Sequence, residues 1–323
     1  MPEQSRRTVF ERIATLRELS LPAHAVIIAD RRLPGEMLSC FDNPLLVEAG
    51  EQLKTLTAIG DLAEQVLQRH PCKPLTLVAV GGGSVGDAVG FLASVLWRGV
   101  PLWHVPTTMV AMVDSAHGGK TGVNLGNAKN QLGTFYPAER VVLVEEILAA
   151  QPPALRRDGM VEMLKAFWLG DPESVHALVP GEIEALTFAP WEEVRDRLPI
   201  MIEHAVAIKQ RIVDQDPREE RGIRTMLNLG HTLAHALELT TGASHGVAVA
   251  WGLLSCLELS RGHGLDERNA AHCRETLFPL LIPLPELPSH EVLRAAMLRD
   301  KKRSEGQLRS VLLRNPGEAV LTT

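Results

Sequence analysis

The sequence predicts two domains of different class: an α/β domain with a mostly parallel sheet, then an all-helical domain. Three observations predict it. Short apolar runs alternate with helical patterns through the first half. One of those runs ends in a glycine cluster that opens a helix. After Gln151-Pro152-Pro153 almost every periodic segment is helical. Two domains also suit a length of 323 residues. The boundary falls near residue 150, giving domains 1–150 and 151–323.

Taken in order, 25–29 (AVIIA) reads as a strand and 45–47 as a weaker one. Segment 56–67 has helical spacing, with Leu56, Ile59, Ala63, Val66 and Leu67 on one face. Segment 75–80 (LTLVAV) is a buried strand running into Gly81-Gly82-Gly83, and 85–96 follows as a helix. Segments 101–105 and 141–144 are further strands. Strands that alternate with helices imply parallel pairing. Beyond the boundary, 160–168, 191–213, 226–239, 247–262 and 290–298 read as helices. Segments 308–313 and 319–321 form a terminal hairpin turned at Asn315-Pro316-Gly317.

Apolar residues make up 45% and charged residues 22%, enough for an ordinary buried core. The net charge of −6 argues against nucleic acid or a membrane surface as the main partner. Local basic pockets for anionic ligands remain compatible with it. Cys40, Cys72, Cys256 and Cys273 form no C-x-x-C pair and read as reduced thiols of a cytoplasmic protein. Residues 1–10 lack the apolar core of a signal peptide, and no apolar run approaches membrane-spanning length.

Three groups of residues carry chemistry. The turn Gly81-Gly82-Gly83-Ser84-Val85-Gly86-Asp87 follows a strand and opens a helix. Helix N-terminal amides carry partial positive charge, and glycines let a phosphate approach them. Asp30 ends an earlier strand, where a carboxylate can accept from a ribose hydroxyl. In the second half, Glu162 and Lys165 project from one face of an apolar helix, which is costly unless they are paired or functional. His231 and His235 share a helix face, and His245 opens the next helix. One Glu with two or three His suits a catalytic zinc with a position left for substrate. Finally, 114–130 (DSAHGGKTGVNLGNAKN) holds Asp114, Lys120, Asn124, Lys129 and Asn130 on glycine-rich loops. Lys120 and Lys129, with Lys209, Arg224, Lys301 and Lys302, suggest an anionic substrate.

At this point the residues resemble a family. GGGSVGDAVGFLAS, RGV, VPTT, VDSAHGGKTGVN, KNQLGTFYP, GMVEMLK, RTMLNLGHTLAHALE, SHGVAVAWG and LRDKK occur in the order found in 3-dehydroquinate synthases, over residues 26–321. The resemblance implies that fold, with a nucleotide-binding first domain, a metal-binding second domain and an active site between them. It implies zinc (or cobalt) on Glu162, His231 and His245. It implies NAD on Asp30, Glu51, Lys54, Gly82, Gly83, Ser84, Val85, Asp87, Thr107, Thr108 and Lys129. Asp114, Lys165, Lys209, Asn228 and His235 become catalytic residues, and Lys120, Asn130, Arg224, Arg98 and Lys302 hold the substrate. Arg98 would reach a neighbouring subunit's site, since the family is commonly a homodimer.

The family reaction cyclises 3-deoxy-arabino-heptulosonate 7-phosphate to 3-dehydroquinate by transient oxidation at C5, loss of phosphate, return of the hydride, ring opening and an aldol step. A related cyclase acting on sedoheptulose 7-phosphate would share this machinery. Metal-dependent polyol dehydrogenases also resemble the fold and carry GGGS-x-x-D. The chain departs from the family pattern in three ways. The first strands and part of the helical region are expected to be missing. His117 and Arg32 stand where a small apolar residue and Asn or Thr are usual. Val247 replaces the acid of the common His-Gly-Glu, which leaves an acidic partner of the metal ligands missing.

Overall fold

The computed structural model describes residues 8–126, 128–284, 286–301 and 309–322, with the backbone alone at 299–301. Lys302 lies outside the described residues, as does the side chain of Lys301. The chain forms two compact units that meet in sequence at Gln151 and Pro152.

The first unit contains strands β1 (Val9–Ile13), β2 (Ala25–Asp30), β3 (Leu45–Val47), β4 (Thr76–Gly81), β5 (Leu102–Pro106), β6 (Lys120–Leu125), β7 (Ala128–Phe135) and β8 (Arg140–Val144). Six of them form one sheet in the order β1-β8-β5-β4-β2-β3, and every pairing in it is parallel. The middle strands are buried along almost their whole length, as a sheet covered on both faces requires. Helices α1 (Leu56–Arg69) and α2 (Gly83–Val95) pack with it around Ile28, Leu62, Val66, Leu77, Val85 and Leu92. In α1 the core takes Ile59, Leu62 and Val66, whereas Leu56 is half exposed, so its apolar face is rotated from the expected one.

Strand order marks where a ligand crevice opens. After β2 the chain moves outward to β3, then returns to the other side of β2 as β4. The order therefore reverses between β2 and β4, and parallel α/β sheets open a ligand crevice at the carboxyl ends of such a pair. Asp30 ends β2, and the glycine turn follows β4.

Two features of this unit differ from the expectation. An edge strand, β1, lies against β8, where the resemblance left the sheet edge without its first strands. The supposed loops of 114–130 are ordered: one π-helical turn (Ala111–Ser115), then the antiparallel hairpin β6–β7. The hairpin was hidden because glycines interrupt its alternation. At Gly133 a Cβ would lie 2.3 Å from the Thr121 carbonyl oxygen, so these glycines let the strands close.

Inside β5, His104 is buried with its ring against Gly86 of α2. Burial disfavours the imidazolium and pushes its pKa down to about 4. The unfolded chain, near 6.5, then takes up the proton first as pH falls. Stability from His104 is intact above 6.5 and declines toward about 4. At about pH 5 the loss is about 2 kcal/mol. Urea unfolding at about pH 7.5 and about pH 5 is expected to show His104→Leu losing less stability than the parent across this interval by about that amount. Equal losses would contradict it.

The second unit is helical: α3 (Pro153–Trp168), α4 (Leu198–Gln215), α5 (His231–Thr241), α6 (His245–Arg261), α7 (Glu267–Leu277) and α8 (His290–Lys301), with the shorter helices Pro172–His176, Pro180–Phe188 and Trp191–Val194 between α3 and α4. The hairpin β9 (Ser310–Asn315) and β10 (Glu318–Thr322) closes it. From Met160 to Trp168 every residue of α3 is buried, which makes it the central helix of the unit. Two expected helices are broken. The segment 191–213 splits before α4, whose first turn contains Pro199. The segment 226–239 splits at Gly230, which is left-handed (φ 82°) between a tight turn at Arg224–Asn228 and α5. Among the described residues no helix is long and apolar enough to cross a membrane.

Candidate active site

In the first unit Asp30, the glycine turn and the segment with Thr107 and Thr108 stand at the carboxyl ends of β2, β4 and β5. The turn after β4 makes Gly82 the cap and Gly83 the first residue of α2, so the helix N-terminus opens from the end of the strand. The glycines are required by close packing. A Cβ on Gly81 would overlap Val85, and those on Gly82 and Gly83 would stand 3.0 Å from Thr108 Cγ2 and Ser115 Oγ. Thr107 donates its amide to the Gly81 carbonyl at 3.0 Å, and Thr108 Oγ1 accepts from Ala111 N. Ser84 Oγ accepts from the Gly50 amide at 3.0 Å, which ties the turn to the segment carrying Glu51 and Lys54.

Lys54 is the centre of that segment. It is buried, donates to Asp87 Oδ2 at 2.6 Å and to Asn130 Oδ1 at 2.5 Å, and so joins α2 to the hairpin. Asn130 holds its left-handed backbone (φ 53°) by donating its amide to Asn124 Oδ1. Asn124 in turn donates to Glu51 Oε2 at 2.7 Å, and Lys129 stands 3.5 Å from the other oxygen. Burial would raise the Glu51 pKa, but Asn124 and Lys129 outweigh it and hold it below the usual range. Asp30 is buried and already engaged by Arg32, whose Nε and Nη2 donate to its two oxygens at 3.1 and 3.0 Å. Asp114 lies in the π-helical turn. Lys120 is exposed at the start of β6. Arg98 is exposed beside Trp97, both left-handed, in a kink that presents it outward.

The second unit holds a tighter constellation. Glu162 of α3, His231 of α5 and His245 of α6 offer ligand atoms that all lie within 4.8 Å of one another. The local sequence explains the convergence. A Cβ at 252 would come 2.0 Å from the Gly230 carbonyl oxygen, so Gly252 lets α6 run against the start of α5. A Cβ at 246 would come 2.3 Å from Asp158 Cα, so Gly246 lets the start of α6 press onto α3. Those two contacts bring the first residues of α5 and α6, both histidines, onto the helix that carries Glu162.

Both imidazoles are held through Nδ1. His231 Nδ1 lies 3.1 Å from the Leu229 carbonyl, and His245 Nδ1 lies 2.6 Å from Glu238 Oε1. Each Nε2 therefore faces Glu162, at 3.5 Å for His231 and 2.9 Å for His245. One carboxylate and two Nε2 atoms turned to a common point form a donor set suited to a divalent metal with room for substrate. Lys165 stands 2.5 Å from Glu162 Oε2. Burial pushes the Glu162 carboxyl up, but Lys165 and the two histidines outweigh it and hold it well below the usual range. Burial, reinforced by the Lys165 charge, pushes His231 down to about 4. For His245 burial acts the same way, but the bonds to Glu162 and Glu238 win and raise it to about 10.

Other residues surround this cluster in varying ways. The rings of His235 and His231 meet edge to face at 5.6 Å, with His235 exposed. Asn228 is exposed at the end of the turn before α5. Arg224 is buried and donates through Nη1 to the Pro217 carbonyl. Its backbone is held by Asp216, which also accepts from the amides of Glu220 and Arg221. Lys209 is buried on α4. Sequence reasoning missed Glu238. Its signal was present, seven residues after His231, hence two turns along the same helix face. Position 247 carries no acid, and the carboxylate that meets His245 comes from Glu238 on α5.

Comparisons with known proteins agree with this architecture. The family model described as 3-dehydroquinate synthase N-terminal matches residues 44–157, and the one described as 3-dehydroquinate synthase C-terminal matches residues 159–303. A 3-dehydroquinate synthase of Dehalococcoides mccartyi (strain CBDB1) is 39% identical over 281 residues, 84% of this chain and 75% of that protein. Among solved structures, 2-deoxy-scyllo-inosose synthase complexed with carbaglucose-6-phosphate, NAD+ and Co2+ matches with a TM-score of 0.85 at 24% identity, over 97% of this chain and 91% of that one. The 2-epi-5-epi-valiolone synthase of Streptomyces hygroscopicus subsp. jinggangensis 5008, with NAD+ and Zn2+ bound, matches with a TM-score of 0.81 at 24% identity, over 98% and 93%. These two structures share its fold, and the family models with the curated relative establish that the chain belongs to the 3-dehydroquinate synthase family.

Proposed function

We propose that this chain cyclises 3-deoxy-arabino-heptulosonate 7-phosphate to 3-dehydroquinate with release of phosphate, as a carbon–oxygen lyase that uses NAD catalytically with zinc or cobalt. The observation that carries this reading is the Glu162–His231–His245 cluster with Lys165 against it, in a family whose curated relative bears that name. When bound, NAD supplies a reversible hydride acceptor and the metal a Lewis acid at the oxidised hydroxyl.

The chain's own residues do the rest. The α2 N-terminus with Gly82, Gly83, Ser84 and Val85 takes the dinucleotide phosphates. Asp30, Glu51, Lys54, Asp87, Thr107, Thr108 and Lys129 orient the remainder of the cofactor. Lys165 and Lys209 place buried positive charge for the substrate carboxylate and oxygens. Asp114 and Asn228 hold hydroxyls, and His235 takes or returns a proton at a substrate oxygen. Lys120, Asn130, Arg224 and Lys302 hold the phosphate and make it a better leaving group by neutralising charge as it departs. Arg98 does the same from the neighbouring subunit of a homodimer. We place this enzyme in the cytoplasm, in the biosynthetic route to aromatic amino acids.

A cyclase for another sugar phosphate, such as sedoheptulose 7-phosphate, is the second reading. The departures at Arg32, His117 and Val247 leave room for it. Substoichiometric NAD tests the shared part of both readings. Many turnovers without net NADH are expected. NADH accumulating in step with product would contradict it and point to a polyol dehydrogenase.

A further inference from the structure

We infer that Glu238 is the positioning residue for His245 and thereby sets how tightly this site holds its divalent metal. The inference rests on the reading that Glu162, His231 and His245 are the ligands. The two histidines differ in how they are held. His231 leans on a backbone carbonyl, that of Leu229, which no substitution removes. His245 leans on a side chain, with Glu238 Oε1 at 2.6 Å from its Nδ1.

His245 also has the weaker surroundings. It is the first residue of α6, and its side chain is 37% exposed against 13% for His231. The backbone beneath it is well fixed. Ser244 Oγ donates to Asp158 Oδ1 at 3.2 Å, and Gly246 is pressed against the same aspartate. Neither contact controls rotation of the ring. An imidazole that donates from Nδ1 to a carboxylate keeps its Nε2 lone pair directed at the metal position, and such partners govern metal affinity. Glu238 is suited to this task. It lies on α5, the helix that begins with the other histidine ligand, so one element supplies a ligand and orients the second. Its side chain is 24% exposed, so replacing it does not open the core.

The test is metal binding by Glu238→Gln and Glu238→Ala. Zinc affinity is measured by competition with a chromophoric chelator, and ligand geometry by the visible absorption of the cobalt-loaded protein. Glu238→Ala is expected to bind zinc roughly 10- to 100-fold more weakly than the parent. Its cobalt spectrum is expected to lose intensity, with Glu238→Gln intermediate and Glu238→Asp partly restored. Thermal unfolding of the metal-free proteins is expected to fall only by the loss of the Glu238–His245 pair, too little to account for the fall in zinc affinity, whereas a mere tie between helices would lower the two together. Zinc affinity within about twofold of the parent for both variants, or a loss that only tracks metal-free unfolding, would overturn the inference. A parent that binds no zinc would instead sink the ligand assignment itself, and the two failures are separately visible.

Discussion

Glu162→Gln is expected to remove detectable zinc binding and to lower turnover by at least about a thousandfold. The amide keeps the shape of the carboxylate and loses its charge. That charge is itself almost fully buried and faces Lys165 at 2.5 Å and both imidazoles. Without it, a divalent cation would meet a buried ammonium with only two neutral ligands, and Lys165 would be left unpaired. Breaking such a buried pair also costs about 3–5 kcal/mol, so the variant should unfold earlier as well. Metal content of the purified variant and its rate with saturating zinc check the result. A variant with normal zinc content would show that Glu162 is structural only.

Gly252→Ala should cost about 3 kcal/mol, which lowers the unfolding midpoint by on the order of 10 °C. The added methyl meets the Gly230 carbonyl oxygen at 2.0 Å. Both partners are backbone, so no rotamer change relieves the clash. Relief requires α6 to move away from the start of α5, which separates His245 from His231. Metal affinity is therefore expected to fall together with stability. Gly60→Ala provides the contrast, because Gly60 lies within α1 with nothing within 4 Å of its absent Cβ. That change should stabilise by about 0.5–1 kcal/mol and leave metal binding alone. Calorimetry and a zinc titration on the two variants separate these outcomes.

The parts of the site legible in the sequence were those where residues bind through local spacing. Glu162 and Lys165 stand three apart on an apolar helix, and they do form an ion pair. The glycine run does join β4 to α2. What escaped was set by long-range packing. The extent of α5 was hidden because Gly230 breaks a sequence that otherwise has helical periodicity. Helix α7 was missed because its buried stripe is thin, Ala270, Cys273, Thr276 and Leu277 among charged residues. The hairpin β6–β7 was missed because its register depends on glycine contacts across strands. Glu238 was passed over because its partner, His245, belongs to the next helix, and periodicity within one helix does not show what the next one brings.

Phosphate release from two candidate sugars reports the reaction itself. Purified protein with zinc and catalytic NAD is given 3-deoxy-arabino-heptulosonate 7-phosphate and, in parallel, sedoheptulose 7-phosphate. Phosphate is expected from the heptulosonate, with 3-dehydroquinate as the product. Phosphate from sedoheptulose 7-phosphate alone, or from neither sugar, would contradict it.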